Sequence, residues 1–202
     1  MPIDRREFMK TGAALAALKT LSPRAAFGAA ADMPAGAVRT LGRMAWGAGT
    51  WYRPYQSKVA HEPEAATWVQ IDLGSTRAVE SVRLYPAFTP GDVYAKGYGF
   101  PSRFRIEVSN DASFAKPTLL ADQSGADFAE PHDEITEFAG GQATGRYVRL
   151  TATKLRPAQD GVWYKLALTK IDVVSGGKDV AVSCPVTADT ELGNPKDLAQ
   201  IV

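Results

Sequence analysis

The chain has 202 residues, of which 45% are hydrophobic and 22% charged; this bounds it to one globular domain, with or without part of another, and excludes a disordered polymer. A formal net charge of +1 leaves no electrostatic footprint for nucleic acid or a polybasic membrane contact. One cysteine, Cys184, and two histidines exclude an intramolecular disulfide, a zinc finger and an iron–sulfur cluster, and neither a cofactor nor a metal is expected.

The first 31 residues read as an export address. Arg5 and Arg6, Phe8 two positions on, and Lys10 resemble a twin-arginine signal, and the mildly apolar run Thr11 to Leu21 follows. Ala29-Ala30-Ala31 fits a signal-peptidase site, making Asp32 the expected first mature residue and the location periplasmic or extracellular. Lys19 and Pro23 interrupt the apolar run, so no transmembrane segment is expected. Cleavage would remove five of the 23 bases and two of the 22 acids, leaving 18 and 20 and a net charge of −2.

Beyond this address the pattern has period two. Val69, Ile71 and Leu73 share a face in Trp68–Leu73, and Gly74-Ser75 ends that run. Val79–Tyr85 is a second expected strand, stopped by Pro86. In Phe104–Val108 the apolar residues alternate with Arg105 and Glu107, and Asn110-Asp111 supply a turn. Tyr147–Ala152 turns Val148, Leu150 and Ala152 inward, and Leu166–Val174 precedes Gly176-Gly177. Short strands separated by polar turns indicate an all-β antiparallel sandwich of two sheets, with the alternating charges facing solvent. Two stretches read as long loops. One, Ala87 to Pro101, is rich in aromatics; the other, Ser124 to Gly145, carries Asp127, Glu130, Asp133, Glu134 and Glu137 and is expected to be a solvated acidic loop.

In order along the chain, Trp68 to Gly74, Val82 to Pro86, Pro101 to Ser109, Gly145 to Leu150 and Leu168 to Val173 resemble discoidin domains. These form the coagulation-factor-type C family of the galactose-binding-like superfamily. The resemblance implies a jelly-roll β-sandwich of about eight strands over 65–175. It leaves 32–64 as a poorly matched N-terminal segment and 176–202 as a linker with the truncated start of a second β-domain. It also implies a non-catalytic carbohydrate-binding module with a polysaccharide or glycan partner, as found N-terminal in exported bacterial glycoside hydrolases, particularly rhamnosidase-like ones. A protein-interaction, adhesion or spacer domain of the same fold is the alternative.

Sugar recognition needs a flat aromatic ring beside fixed polar groups. Tyr94, Tyr98 and Trp163 are the candidate platforms, each also readable as packing, with Trp51 and Tyr52 behind them. Arg53, His61, Asp92 and Lys96 are the candidate polar readers, and Trp68 is expected to be structural. No catalytic residue is expected: the serines lack a G-x-S-x-G context and nothing fixes a carboxylate pair. Discoidin-like modules commonly carry a structural calcium whose closing-strand glutamate is matched here by Lys170. An ammonium there opposes calcium, and Lys170 is expected either to point at loop carbonyls or to face solvent. The phase break between Leu168 and Ile171 indicates a β-bulge.

Overall fold

A computed structural model describes residues 33–44, 54–88, 96–157, 162–189 and 198–202. Among these, eight strands have five residues or more: β1 Val38–Arg43, β3 Thr67–Ala78, β4 Ser81–Pro86, β5 Arg103–Ser109, β6 Thr118–Asp122, β7 Glu134–Ala139, β8 Thr144–Lys154 and β9 Ala167–Ser175. Three short pieces complete the sheets: β2 Tyr55–Gln56, β10 Lys178–Asp179 and β11 Val186–Ala188. The first sheet runs β1-β7-β4-β9-β10 with β2 also on β9, and the second runs β11-β3-β8-β5-β6. Every pairing is antiparallel, and the architecture is the expected all-β sandwich.

The period-two faces meet in one core. Val69 and Ile71 of β3, Phe104 and Ile106 of β5, and Val148 and Leu150 of β8 pack against Val82 and Leu84 of β4 and Ile171 and Val173 of β9. At one end, Phe100, Phe104, Phe128 and Phe138 close the core with ring centroids 5.4–5.9 Å apart, in edge-to-face, tilted and stacked pairs. This plug lies beneath the segments described below as the candidate site.

The segments flanking 65–175 contribute to these same sheets. β1 pairs with β7, β2 with β9, β10 with β9 and β11 with β3, and Ala181 and Ile201 are wholly buried. The expected acidic loop is corrected, because it contains β7. Thr136 and Phe138 turn into the core, and Glu137 on the opposite face is also fully buried. Its carboxylate accepts hydrogen bonds from Ser81 Oγ (2.8 Å), Arg83 Nε (2.8 Å) and Arg39. Burial pushes the Glu137 pKa up, but the donors from Arg83, Ser81 and Arg39 outweigh it and hold the group below its ordinary value.

The expected bulge is present. Tyr85 pairs with Lys170 and Pro86 with Leu168, so Thr169 is the extra residue, and its hydroxyl donates to Pro86 O at 2.9 Å. The extra residue lets Leu168 and Ile171 both face inward although they are three positions apart.

Candidate functional site

At the plugged end, three segments come together. Chain 55–60 runs antiparallel to 164–168: Tyr55 pairs with Leu168, Ser57 N donates to Leu166 O at 2.8 Å, and Ala60 bridges Tyr164. The third segment, 96–100, docks on the same strand because Ala167 N donates to Gly99 O at 2.8 Å. Gly97 and Gly99 have φ of +83° and +68°. A Cβ at Gly97 would lie 2.7 Å from His132 O, and one at Gly99 would lie 2.8 Å from Ala167 N, so the Gly97-Tyr98-Gly99 turn needs both glycines.

This assembly unites three of the residues singled out by sequence. Trp163 is 41% exposed, and its ring centroid lies 4.9 Å from that of His61, tilted by 55°. Both extend past the Ala60–Tyr164 bridge, where the ladder ends, so the pair stands on the rim. Tyr98 is also at this end but is only 7% exposed, packed with Ala87 and Ala167. Lys165 Nζ sits 5.3 Å from its ring centroid and donates to Gln56 Oε1 at 2.7 Å, and Gln56 Nε2 approaches Tyr98 Oη at 3.4 Å. Tyr98 is therefore backing beneath the rim, and Trp163 is the ring that faces outward. Gln56 and Lys165 were not found by sequence; only their place beside β-strand ends distinguishes them from other polar strand residues.

Lys96 lies farther along the same end. Its ammonium donates to Asp133 Oδ2 at 2.8 Å and sits 5.7 Å from the Phe88 ring centroid. Arg43 Nε lies 3.6 Å from Asp133 Oδ1. Asp133 is buried rather than solvated, and the hydrogen bond from Lys96 holds its pKa below the ordinary value. Asp127 keeps to the surface between Arg103 and Lys154, and His132 occupies an exposed turn with φ of +53°. Tyr94, Arg53 and Asp92, together with Trp51, Tyr52, Arg5, Arg6, Phe8 and Lys10, lie outside the described residues. Trp68 is half-buried on a sheet face, with the Arg149 guanidinium 4.5 Å from its ring centroid.

Lys170 takes neither expected course. Its ammonium lies between two carboxylates, 2.7 Å from Asp172 Oδ1 and 3.0 Å from Asp179 Oδ2, and Tyr85 Oη donates to Asp172 Oδ2 at 2.7 Å. Burial lowers the Lys170 pKa, but the two aspartates more than compensate and hold it above the ordinary lysine value. A calcium ion does not fit between carboxylates already bridged by an ammonium. Among the described residues, no group of three or more His, Cys, Asp or Glu is placed to hold a metal ion, and no helix is long and apolar enough to cross a membrane.

The F5/8 type C domain model matches residues 29–167, a stretch that takes in β1 to β8 and ends at the first residue of β9. The chain belongs to that family. Solved structures of low sequence identity are similar to this F5/8 type C domain. One is the family 32 carbohydrate-binding module of Clostridium perfringens NanJ in complex with galactose: identity 15%, coverage 68% of this chain and 91% of that one, TM-score 0.44. Another is chitosan-binding module 1 of the chitosanase/glucanase from Paenibacillus sp. IK-5: identity 18%, coverage 69% and 95%, TM-score 0.41. The lectin domain of lectinolysin with Lewis B antigen has identity 22%, coverage 58% and 72%, and TM-score 0.35. No curated protein sequence matches the chain.

Proposed function

We propose that this F5/8 type C domain is a non-catalytic carbohydrate-binding module whose site is the rim carrying Trp163 and His61. The observation behind this reading is the exposed Trp163 ring, set against an imidazole at 4.9 Å on a buried, hydrogen-bonded base. A large ring left in water forgoes roughly 1.5–3 kcal/mol of burial, which a ligand with an apolar C–H face would recover. The imidazole nitrogens supply hydroxyl-reading groups beside it, and Gln56, Lys165 and Tyr98 keep the base rigid.

Calorimetric titration with galactose and with chitosan oligomers, the ligands named for two of the structures above, tests the proposal. Trp163→Ala should weaken binding by about 1–3 kcal/mol, roughly five- to 150-fold, and leave the thermal midpoint almost unmoved. Unaltered affinity in that variant would remove Trp163 from the site.

The protein-contact alternative rests on Val59 and Val162, which are 38% and 55% exposed on the same two segments as His61 and Trp163. Val162→Asp would abolish capture of a protein partner but leave sugar binding to the Trp163 ring intact. The export reading of 1–31 and a polysaccharide-degrading parent enzyme belong to the same proposal. Retained processing after replacement of Arg5 and Arg6 by lysine would argue against twin-arginine export. Reading the gene in frame past the Val202 codon tests for the hydrolase.

A further inference from the structure

A concave feature lies at the other end of the sandwich from the Trp163 rim. β8 starts there, at Thr144, and its 11 residues put the two ends roughly 35 Å apart at about 3.3 Å per residue. An open cleft of about 400 Å³ is bounded by the end of β5, the start of β6 and the turn between them. Ser109 is its buried floor, and Asn110, Asp111, Lys116, Thr118 and Thr144 are its exposed walls. That volume falls at the small end of ligand pockets and suits one ring-sized unit.

The turn forming the walls is fixed in advance. Ser109 Oγ accepts from Asp111 N at 2.9 Å, Asp111 Oδ1 from Ser113 N at 3.0 Å, and Asn110 Oδ1 from Thr76 Oγ1 at 2.7 Å. Phe114 is held at φ +56°, with its ring centroid 3.9 Å from the Arg149 guanidinium, which also donates to Ala112 O at 3.1 Å. A bulky residue in the left-handed region persists only where its surroundings determine it, and here they do.

These bonds divide the polar groups. The Asp111 carboxylate accepts from the Ser113 amide and hydroxyl, so its oxygens are engaged within the turn while its charge remains. Asn110 has spent its carbonyl on Thr76 and keeps its amide N–H donors. Among the described residues, no carboxylate lies within ion-pair distance of the Lys116 ammonium. Thr144 donates to Gln142 O at 3.3 Å, which leaves its hydroxyl lone pairs as acceptors, and the Thr118 hydroxyl can do either. The unmet set is thus one cation and an amide donor beside two hydroxyls. That set matches a carboxylate attached to a hydroxylated ring.

We propose that this cleft is a second binding site and that it takes a uronic-acid residue, with Lys116 and Asn110 on the carboxylate and Thr118 and Thr144 on ring hydroxyls. With Trp163 at the opposite end, the domain would bridge two glycan chains. The bridging rests on the rim reading, the cleft itself does not, and the experiment keeps the two apart. Amide chemical shifts of the whole chain are followed while sodium galacturonate, galactose or sodium acetate is added. Galacturonate should move Asn110, Lys116 and Thr118, neutral galactose should not move them, and Lys116→Gln should weaken the response at least tenfold while Trp163→Ala leaves it unchanged. Thr118→Val should weaken the galacturonate response without creating one to acetate. No shift at these residues, equal shifts with acetate, or full binding by Lys116→Gln would each overturn the proposal.

Discussion

Across the outer face of the first sheet, Arg39, Glu137, Arg83 and Asp172 stand side by side on four successive strands. Across the outer face of the second, Gln70, Arg149, Glu107 and Leu119 hold the corresponding row. In sequence both rows are polar or mixed residues alternating with apolar ones. In the first row the charges alternate in sign and two of them are buried: Glu137 is wholly inaccessible and Asp172 is 4% exposed. In the second row Arg149 is stacked between Trp68 and Phe114, and Leu119 at the row's end is 51% exposed. Period-two alternation tells which residues leave the core face. Whether they then meet water depends on the neighbours on the adjoining strands, which the alternation does not record.

The largest break in this comparison should come from Glu137→Ala. It strands Arg39, Arg83 and Ser81 around a missing acceptor, and losing one partner of a buried pair costs about 3–5 kcal/mol. Urea unfolding should read this as a lower midpoint with little change in slope. A loss below about 1 kcal/mol would mean that the row is as lightly coupled as a surface pair.

Acid sharpens the same contrast. Because the folded pKa of Glu137 is lowered, its contribution is complete above the ordinary carboxylate value of 4.5 and is lost as pH falls through the lowered folded value. Asp179 behaves alike: burial raises its pKa, but the Ala181 amide and Lys170 lower it further, so it too weakens the first sheet in acid. Thermal midpoints measured from pH 6 to pH 2 should fall through that window. The fall should be shallower in Glu137→Gln, whose lower starting stability has no carboxylate at 137 left to titrate.

The smallest effect belongs to Asp127→Ala. Its carboxylate bridges Arg103 Nε at 2.6 Å and Lys154 Nζ at 2.8 Å beside the second sheet, but its side chain is half exposed. Such pairs are worth about 0–1 kcal/mol, so unfolding midpoints should shift little, and less still at high salt.

The contrast also explains what could be read in advance. The strands visible in sequence, β3, β4, β5, β8 and β9, have apolar residues at alternate positions that bury cleanly. β7 was hidden because Glu134 and Glu137 gave it a loop's composition, although Ile135, Thr136 and Phe138 between Pro131 and Gly140-Gly141 carried the strand signal. β1 was hidden because all six of its residues stay partly or fully exposed. At the site, His61 and Trp163 were legible as residue types without a known meeting point, since Ala60 and Tyr164 are brought together only by the β2–β9 pairing. Tyr98 looked like a loop-tip aromatic; one glycine on each side bends it inward. Lys116 carried no signal, because an isolated lysine after a turn is ordinary until its missing counter-charge can be seen.

The bulge at Thr169 has a consequence for how this domain can vary. Leu168 and Ile171 face the core on either side of it, so removing Thr169 leaves Leu168, Lys170 and Ile171 in unbroken alternation. A one-residue deletion in a strand normally turns half of its side chains inside out; here it would leave both halves facing as before. Leu168 already faces Pro86 and Lys170 already faces Tyr85, so the deletion would close a regular ladder; what it would remove is the local bend and added twist of the bulge, together with the Thr169 hydroxyl on Pro86 O. The strand therefore contains a spare link, a position that can be lost by a single codon without a matching change in the core.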